Sequence, residues 1–129
     1  MDAPRRRFTR SMRLVRRGDF ARVFEQGGRA RGALMLVVAA SNGTEMTRLG
    51  LSVGRSVWKG AVERNRVRRI FREAFRLSYP ELPKGVDLVL VPAAPKLWPA
   101  LADAREELVR LAPKALAKPP RRPREARGP

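Results

Sequence analysis

The sequence predicts an α+β fold, a two-layer α/β sandwich in which helices cover a small sheet. Its 129 residues, of which 43% are hydrophobic, are sufficient for one domain with a substantial core. Three stretches have the apolar spacing of helices, and three short apolar runs between turn residues have the length of strands. These stretches follow one another as α-β-β-α-β-α, an order that places helices against a single sheet.

The first predicted helix begins at Asp19, a favourable N-cap residue, and ends before Gly27. Phe20, Val23 and Phe24 recur at i, i+3 and i+4, so they share one face. Core packing is the commoner role for phenylalanines at this spacing. The flanking arginines leave a second interpretation open, in which the rings line a groove where unpaired bases stack.

Three segments are predicted as strands. Residues 33–40 are an uninterrupted apolar run, typical of a buried strand, and residues 41–44 supply a turn. Residues 48–53 alternate in hydropathy, which predicts an antiparallel partner for the first strand. Residues 86–91 form the third apolar run, which closes at Pro92.

The segment 61–79 is predicted as a helix that ends before Pro80. At about 100° per residue, arginines gather within an arc of about 140° and apolar side chains on the opposite arc. The arginines are Arg64, Arg68, Arg69, Arg72 and Arg76, and the apolar residues are Val67, Ile70, Phe71, Ala74 and Leu77. Like charges one turn apart repel each other, so the stripe favours an anionic partner over a merely solvated face.

A last helix is predicted to begin at Pro99. Its apolar positions recur at helical spacing and are Leu101, Ala104, Leu108 and Leu111. The domain is therefore predicted to span residues 14–112. Residues 1–13 are interpreted as a flexible basic arm, and residues 113–129 as a disordered basic tail rich in proline.

The charge balance points to a nucleic acid as the partner. Lysine and arginine outnumber aspartate and glutamate by 29 to 12, which gives a net charge of +17. Positive charge is concentrated at both ends and in the arginine helix, whereas residues 80–112 are nearly neutral. No apolar run is long enough to cross a membrane and no signal peptide is evident, so a cytoplasmic protein is expected.

Catalysis by the protein alone is not expected. The chain contains no histidine and no cysteine, which excludes the usual zinc sites, Ser-His and Cys-His nucleophiles and an imidazole base.

The loop 54–60 contains Arg55 and Lys59 and is open to two interpretations, a phosphate cradle or an ordinary connection. The two tryptophans are ambiguous: stacking on a base is one interpretation of Trp58 in this loop, and packing against the sheet is one interpretation of Trp98 before Pro99.

Three motifs, taken in order, resemble those of the bacterial ribonuclease P protein. The first is a helix pattern made by Asp19, Phe20, Val23, Phe24 and Gly27. The second is the strand sequence Leu-Gly-Leu-Ser-Val at 49–53. The third is the signature Ala-Val-Glu-Arg-Asn-Arg-Val-Arg-Arg at 61–69, continued by Arg-Glu-Ala-Phe at 72–75. Asp87 also fits, and the resemblance extends from Leu14 to Leu111.

This resemblance implies a fold and a function that the periodicities did not reveal. A further strand is expected near residues 29–31, giving the order α-β-β-β-α-β-α, and a left-handed βαβ crossover is expected to position the signature helix. Proteins of the family bind a large catalytic RNA. The holoenzyme removes the 5′ leader from precursor tRNA, with Mg²⁺ bound mainly by the RNA. Neither a protein partner nor a membrane is expected.

Carried over position by position, the resemblance assigns two groups of binding residues. Those expected to face the catalytic RNA are Arg64, Asn65, Arg66, Arg68, Arg69 and Arg72, with Arg55 and Lys59 from the loop. Those expected to contact the single-stranded leader are Phe20, Phe24, Arg17 and Val38. No catalytic residue is assigned, because in this family the active site belongs to the RNA.

The chain departs from the family pattern in two places. The loop 54–60 is one residue longer and lacks the usual asparagine, and Val38 stands where the family often has an aromatic residue. A structural ribosomal protein is the alternative from a different functional class. Such a protein would share the basic charge, the small size and the absence of catalytic side chains.

Overall fold

The computed structural model describes residues 10–14 and 16–118. The helices are α1 (Arg17–Gln26), α2 (Ala61–Ser78) and α3 (Leu101–Ala117), and the strands are β1 (Gly28–Arg31), β2 (Met35–Ser41), β3 (Arg48–Leu51) and β4 (Val86–Pro92). Short 3₁₀ turns span Arg10–Met12 and Tyr79–Glu81. The order α-β-β-β-α-β-α confirms the predicted α+β fold and the additional strand near residues 29–31.

The four strands form one sheet in the order β1-β2-β4-β3. β2 pairs antiparallel with both β1 and β4, and β3 pairs parallel with β4. The prediction that residues 48–53 pair with residues 33–40 was therefore wrong, because β4 lies between them. β4 is buried at every position from Val86 to Leu90, and a strand covered on both faces belongs at the centre of a sheet. The predicted left-handedness of the β3-α2-β4 crossover stays a prediction.

Helices lie on both faces of the sheet, so α1 adds a partial third layer to the two layers that were predicted. α2 and α3 cover one face, where the main core includes Met35, Val37, Leu88 and Leu90. α1 covers part of the other face through Val23, and the strand residues beneath it are Val38, Ala40 and Val89. The alternation of side chains along β2 and β4 therefore supplies both clusters.

α2 docks on the sheet through a face centred between Phe71 and Phe75. Both rings are fully buried, together with Val67 and Ala74. The predicted apolar arc omitted Phe75 and included Ile70, which is only half-buried. Because the docking face is rotated toward Phe75, the first arginines of the stripe lie beside the core.

α3 extends further than the predicted domain end at residue 112. The helix continues through Pro113 to Ala117, because Ala112 and Ala115 are fully buried in the main core. A proline removes one helical N–H donor, and the packing of this last turn compensates for that loss. Gly28 allows the close approach, since a Cβ there would collide with the carbonyl oxygen of Ala115. The rest of the predicted tail, from residue 119, lies outside the described residues.

The start of the domain also differs from the prediction. Arg10–Met12 forms a 3₁₀ turn and Arg13 forms an isolated parallel bridge with Leu49, so the segment before residue 14 is anchored to the sheet. The remainder of the predicted arm lies outside the described residues. α1 begins at Arg17, and Asp19 lies in its first turn rather than at its N-cap. A carboxylate in that turn is favourable next to the positive end of the helix dipole.

A buried carboxylate ties α3 to the beginning of β2. Glu107 accepts hydrogen bonds from the backbone N–H groups of Ala33, Leu34 and Met35, at distances of 3.1, 2.8 and 2.8 Å. Gly32 leaves room for this carboxylate, because a Cβ at that position would collide with it. One side chain thus satisfies three consecutive backbone donors of the turn that joins β1 to β2.

Replacing Glu107 by alanine is expected to lower the free energy of unfolding by about 2–4 kcal/mol, because it leaves backbone donors unsatisfied in a buried setting. Urea denaturation of the full chain measures this loss. Glu106→Ala is the matched control, since its side chain is exposed on the same helix and should change stability by less than about 0.5 kcal/mol. Equal stability of the two variants would refute the structural role of Glu107.

Candidate nucleic-acid interface

Phe20 and Phe24 lie on α1, half-buried against the sheet. Phe20 rests on Gly50 of β3, where a Cβ would approach the ring Cζ to 2.7 Å. A larger residue at position 50 would therefore displace the ring. The guanidinium of Arg29 in β1 lies over the Phe24 ring, 5.5 Å from the ring centroid. The Nη2 atom of the same arginine donates a hydrogen bond to the Phe24 carbonyl at 3.0 Å. Packing thus fixes both rings while leaving part of each accessible.

An ion cluster fastens α1 to the sheet. Asp87 of β4 is fully buried and accepts two hydrogen bonds from Arg48, from Nε and Nη2 at 2.7 Å each, and one from Asn42 at 2.9 Å. Arg22 of α1 forms a further ion pair with the same carboxylate. The charge of Asp87 therefore joins α1, β3 and β4 at one point.

The protonation state of Asp87 follows from these contacts. Burial alone would raise its pKa, but the hydrogen bonds from Arg48 and Asn42 and the charges of Arg48 and Arg22 outweigh it, so the pKa is lowered. The hydrogen bond to Asp87 correspondingly raises the pKa of Arg48. At neutral pH the cluster is ionised, and α1 is held by a charged anchor.

A basic pocket joins α1 to α2. The cavity has a volume of about 190 Å³ and is lined by Arg13, Leu14, Phe20, Leu49, Leu51, Arg68 and Arg72. Its walls combine an aromatic ring and apolar side chains with three guanidinium groups. A base has a flat apolar face and a phosphate has a negative charge, so this combination suits a nucleotide.

The charges around this pocket repel one another. The pKa of Arg72 is lowered, first by burial and then by the positive charges of Arg13, Arg68 and Arg69. Arginine remains protonated at physiological pH in spite of such a shift. Burial is the largest cause of the shift, and the further lowering by Arg13, Arg68 and Arg69 shows that several positive charges converge here. An anion placed there would be attracted by all of them.

The predicted arginine stripe divides into two kinds of residue. Arg64 is half-buried and donates from Nη1 to the carbonyls of Trp58 and Lys59, at 3.1 and 2.7 Å. Arg68 donates to the Val53 carbonyl at 3.1 Å and to the Asn65 side chain at 2.7 Å. These arginines hold the connection between β3 and α2 against the helix. The exposed members of the predicted RNA-facing group are Asn65, Arg66, Arg69, Arg55 and Lys59.

The two tryptophans do not lie where the sequence suggested. Trp58 is half-buried against the main core and donates from Nε1 to the Leu97 carbonyl at 2.7 Å. Trp98 is 48% exposed, with the guanidinium of Arg66 4.7 Å from the centre of its ring. The assignment from sequence was wrong because the connection between β4 and α3 packs Trp58 beneath it and carries Trp98 outward.

Val38 is not available to a ligand, contrary to its predicted place in the leader cleft. Its side chain is fully buried under α1, where Val23 and the backbone of Gly27 cover it. Arg17, in the first turn of α1, is exposed. Its predicted contact with the leader stays a prediction.

Sequence reasoning missed part of the surface beside α1. Leu36 and Val91 face each other across β2 and β4 and are half-buried, and Arg31 of β1 is exposed next to Leu36. Arg13 lines the basic pocket, although the sequence placed it in the flexible arm. The alternation Arg29-Ala30-Arg31 was the available signal, because it sets two arginines on one face of β1.

Comparisons with known proteins agree with this geometry. The family model for Ribonuclease P matches residues 8–116. The ribonuclease P protein component of Nitrosococcus oceani is 43% identical over 84 residues, which are 65% of this chain and 70% of that protein. The component of Thermotoga petrophila is 40% identical over 85 residues, which are 66% of this chain and 72% of that protein.

Solved structures show the same fold. The RNase P protein from Thermotoga maritima is 33% identical with a TM-score of 0.68, over 76% of this chain and 92% of that one. The RNase P protein of Staphylococcus aureus has a TM-score of 0.69 over 81% of this chain and 97% of that one. At 22% identity, the second likeness concerns the fold alone.

Proposed function

This chain belongs to the ribonuclease P protein family, and from that membership we propose that it is the RNA-binding subunit that assists a catalytic RNA in removing the 5′ leader from precursor tRNA. The observation that carries the proposal is the basic pocket, where Phe20 of α1 meets Arg13, Arg68 and Arg72. It joins an aromatic surface suited to unpaired bases with a stripe of charges suited to a folded RNA.

The proposal assigns the two RNA molecules to two adjoining surfaces. The catalytic RNA lies along the exposed residues of α2 and its preceding loop, where Arg69, Arg66 and Lys59 are accessible to phosphates. The leader of the precursor tRNA crosses α1, where Phe20 and Phe24 offer ring faces. Leader and catalytic RNA would then meet at the basic pocket.

The residues of this chain bind and position RNA in the proposed mechanism, and they lower the cost of bringing phosphates together. Each guanidinium beside the pocket offsets part of the repulsion between two RNA strands. Mg²⁺ is proposed to be bound mainly by the RNA. In the part of the chain that the structure describes, no three acidic side chains form a group that could hold a metal ion.

The family membership also bears on the alternative of a ribosomal protein. The relatives and solved structures described above are ribonuclease P proteins, and nothing among them supports that alternative.

None of the helices within residues 10–14 and 16–118 is long and apolar enough to span a bilayer. We propose a cytoplasmic location and no obligatory protein partner.

Phe20→Leu tests the leader surface, because leucine preserves apolar packing on Gly50 but removes the aromatic face. The holoenzyme carrying this variant is expected to bind precursor tRNA with a long leader about 5- to 100-fold more weakly, in line with the loss of one stacked base. Its affinity for a substrate with a one-nucleotide leader should be unchanged. Equilibrium binding in Ca²⁺, which slows cleavage, measures both affinities.

The short-leader substrate is the internal control, because it retains the tRNA body and lacks the bases that would reach Phe20. A melting curve of the variant separates a lost contact from a lost fold. A folded Phe20→Leu protein that still prefers long leaders to the wild-type extent would contradict the assignment of α1 to the leader.

A further inference from the structure

Two large hydrophobic side chains stand out as exposed within the described residues, and both lie near the beginning of α2. Val62 is 78% exposed and Trp98 is 48% exposed. Arg66, one turn after Val62, places its guanidinium 4.7 Å from the centre of the Trp98 ring. An exposed tryptophan keeps a large apolar surface in contact with water, and such a surface is a candidate for binding a partner.

The exposed position of Trp98 is built into the fold. Its ring meets the ring of Trp58 edge to face, with centroids 5.0 Å apart, and Trp58 is in turn bonded to the Leu97 carbonyl. The neighbouring Lys96 donates its N–H to the Val57 carbonyl at 2.6 Å. Lys96 also adopts a φ of 55°, a conformation that a residue with a side chain takes at some energetic cost. The two loops are therefore locked together with Trp98 on the outside.

The surroundings of this tryptophan are basic. Trp98 itself lines a cavity of about 70 Å³ with Arg66, Val67, Ile70 and Pro99, and its neighbour Trp58 lines a larger one of about 380 Å³ with Arg55, Ser56, Val57, Lys59, Gly60, Glu63, Pro95 and Lys96. Around the larger cavity three side chains are cationic and one, Glu63, is acidic, and Arg66 adds a further positive charge over the Trp98 ring. A second copy of this chain, with a net charge of +17, would be repelled from such a surface, whereas an RNA strand would be attracted.

We propose that Trp98 and Arg66 form a stacking platform for an unpaired base of RNA, separate from the Phe20 pocket. Arginine planes and indole rings are the side chains on which unstacked bases are held. Arg66 lies about 160° around α2 from Arg68, which lines the Phe20 pocket, so one nucleotide cannot occupy both sites. The identification of the ligand as the catalytic ribonuclease P RNA rests on the proposed function. The platform itself rests on the geometry.

The first test is intrinsic fluorescence with a probe that does not depend on the proposed function. Short single-stranded oligouridylate is expected to quench the wild-type protein more than Trp98→Phe, in which the half-buried Trp58 is the remaining tryptophan. An abasic oligonucleotide of equal length is the matched control, and it should bind by charge without quenching. Equal quenching by both oligonucleotides, or no loss of quenching in Trp98→Phe, would overturn the platform.

The second test uses the catalytic RNA and a salt series. Trp98→Ala is expected to weaken binding about 5- to 100-fold, while the slope of log K against log salt stays unchanged because no phosphate contact is lost. Trp98→Phe should retain most of the affinity. A Trp98→Ala protein that melts normally and binds as tightly as wild type would overturn the assignment, as would a change in its sedimentation that indicates a lost dimer.

The two tests separate the platform from the proposed function. Wild-type protein that shows Trp98 quenching by oligouridylate but no specific binding to the catalytic RNA would retain the platform and refute the function. Specific binding to the catalytic RNA with no contribution from Trp98 would refute the platform and retain the proposed function.

Discussion

Replacing Arg68 and Arg69 together by alanine is expected to weaken binding to the catalytic RNA about 100-fold at low salt, roughly tenfold for each lost charged contact. The slope of log K against log salt should fall by about two units, one for each phosphate contact. Arg69 is exposed and Arg68 lines the basic pocket, so both are accessible to an RNA that follows α2. Filter binding across a potassium chloride series measures both quantities.

Arg68 also bonds the Val53 carbonyl, so the double variant changes the connection after β3 as well as the charge. Arg69→Ala alone therefore tests the charge without altering that connection, and the slope of log K against log salt is expected to fall by about one unit. Lys84→Ala is the matched control, because it removes one exposed positive charge beyond the C-terminal end of α2. If Lys84→Ala and Arg69→Ala lower affinity equally, the effect is one of net charge and α2 is not the interface.

Asp87→Asn is expected to lower the free energy of unfolding by about 3 kcal/mol. The substitution keeps the shape of the side chain but removes the buried charge that pairs with Arg48 and Arg22. The side chains of the two arginines are each 28% exposed, so water can solvate them when Asp87 is replaced. The expected loss of stability therefore lies at the lower end of the range for breaking a buried ion pair. Urea denaturation at pH 7 measures the change.

The loss of stability caused by Asp87→Asn is expected to depend on pH. The pKa of Asp87 is lower in the folded chain than the ordinary value of 3.8 that it has in the unfolded chain. Between the two pKa values the unfolded state binds more protons, so stability rises with pH in that window. The contribution of Asp87 is therefore complete above about pH 4–5 and is lost as the pH falls through the lower, folded value. The stability difference between wild type and Asp87→Asn should shrink over that range.

Asp103→Asn is the control for this prediction, because Asp103 is exposed in the first turn of α3. A loss of less than about 0.5 kcal/mol is expected for it. If Asp87→Asn behaved in the same way as Asp103→Asn at pH 7, the ion cluster would not be the anchor of α1.

Hydropathy patterns predicted the types of most elements but not their neighbours. The runs at 33–40 and 86–91 were recognised as strands because their apolar content exceeds what a solvent-facing segment carries. Pattern alone does not show which strands pair, and the turn at residues 41–44 suggested a hairpin between the segments that became β2 and β3. β1 was expected only from the family resemblance, since a strand of four residues with two arginines has no apolar signature.

The sequence indicated many of the residues on the candidate binding surface but not how they are arranged in space. The stripe on α2 followed from helical periodicity, but periodicity does not reveal that Arg64 bonds its own preceding loop. The pocket lined by Arg13 and the exposure of Trp98 depend on contacts between segments far apart in the chain. Val38 was misassigned for the same reason, because only the packing of α1 decides which side of β2 is covered.

Cleavage of precursor tRNA at low Mg²⁺ is the measurement that decides whether this chain serves a ribonuclease P RNA. The matching catalytic RNA should cleave slowly alone, and addition of the folded protein should increase the rate strongly while the cut stays at the mature 5′ end. Screening of phosphate repulsion by the basic surface is the physical reason for this increase. The absence of any stimulation by protein with a normal melting curve would contradict the account.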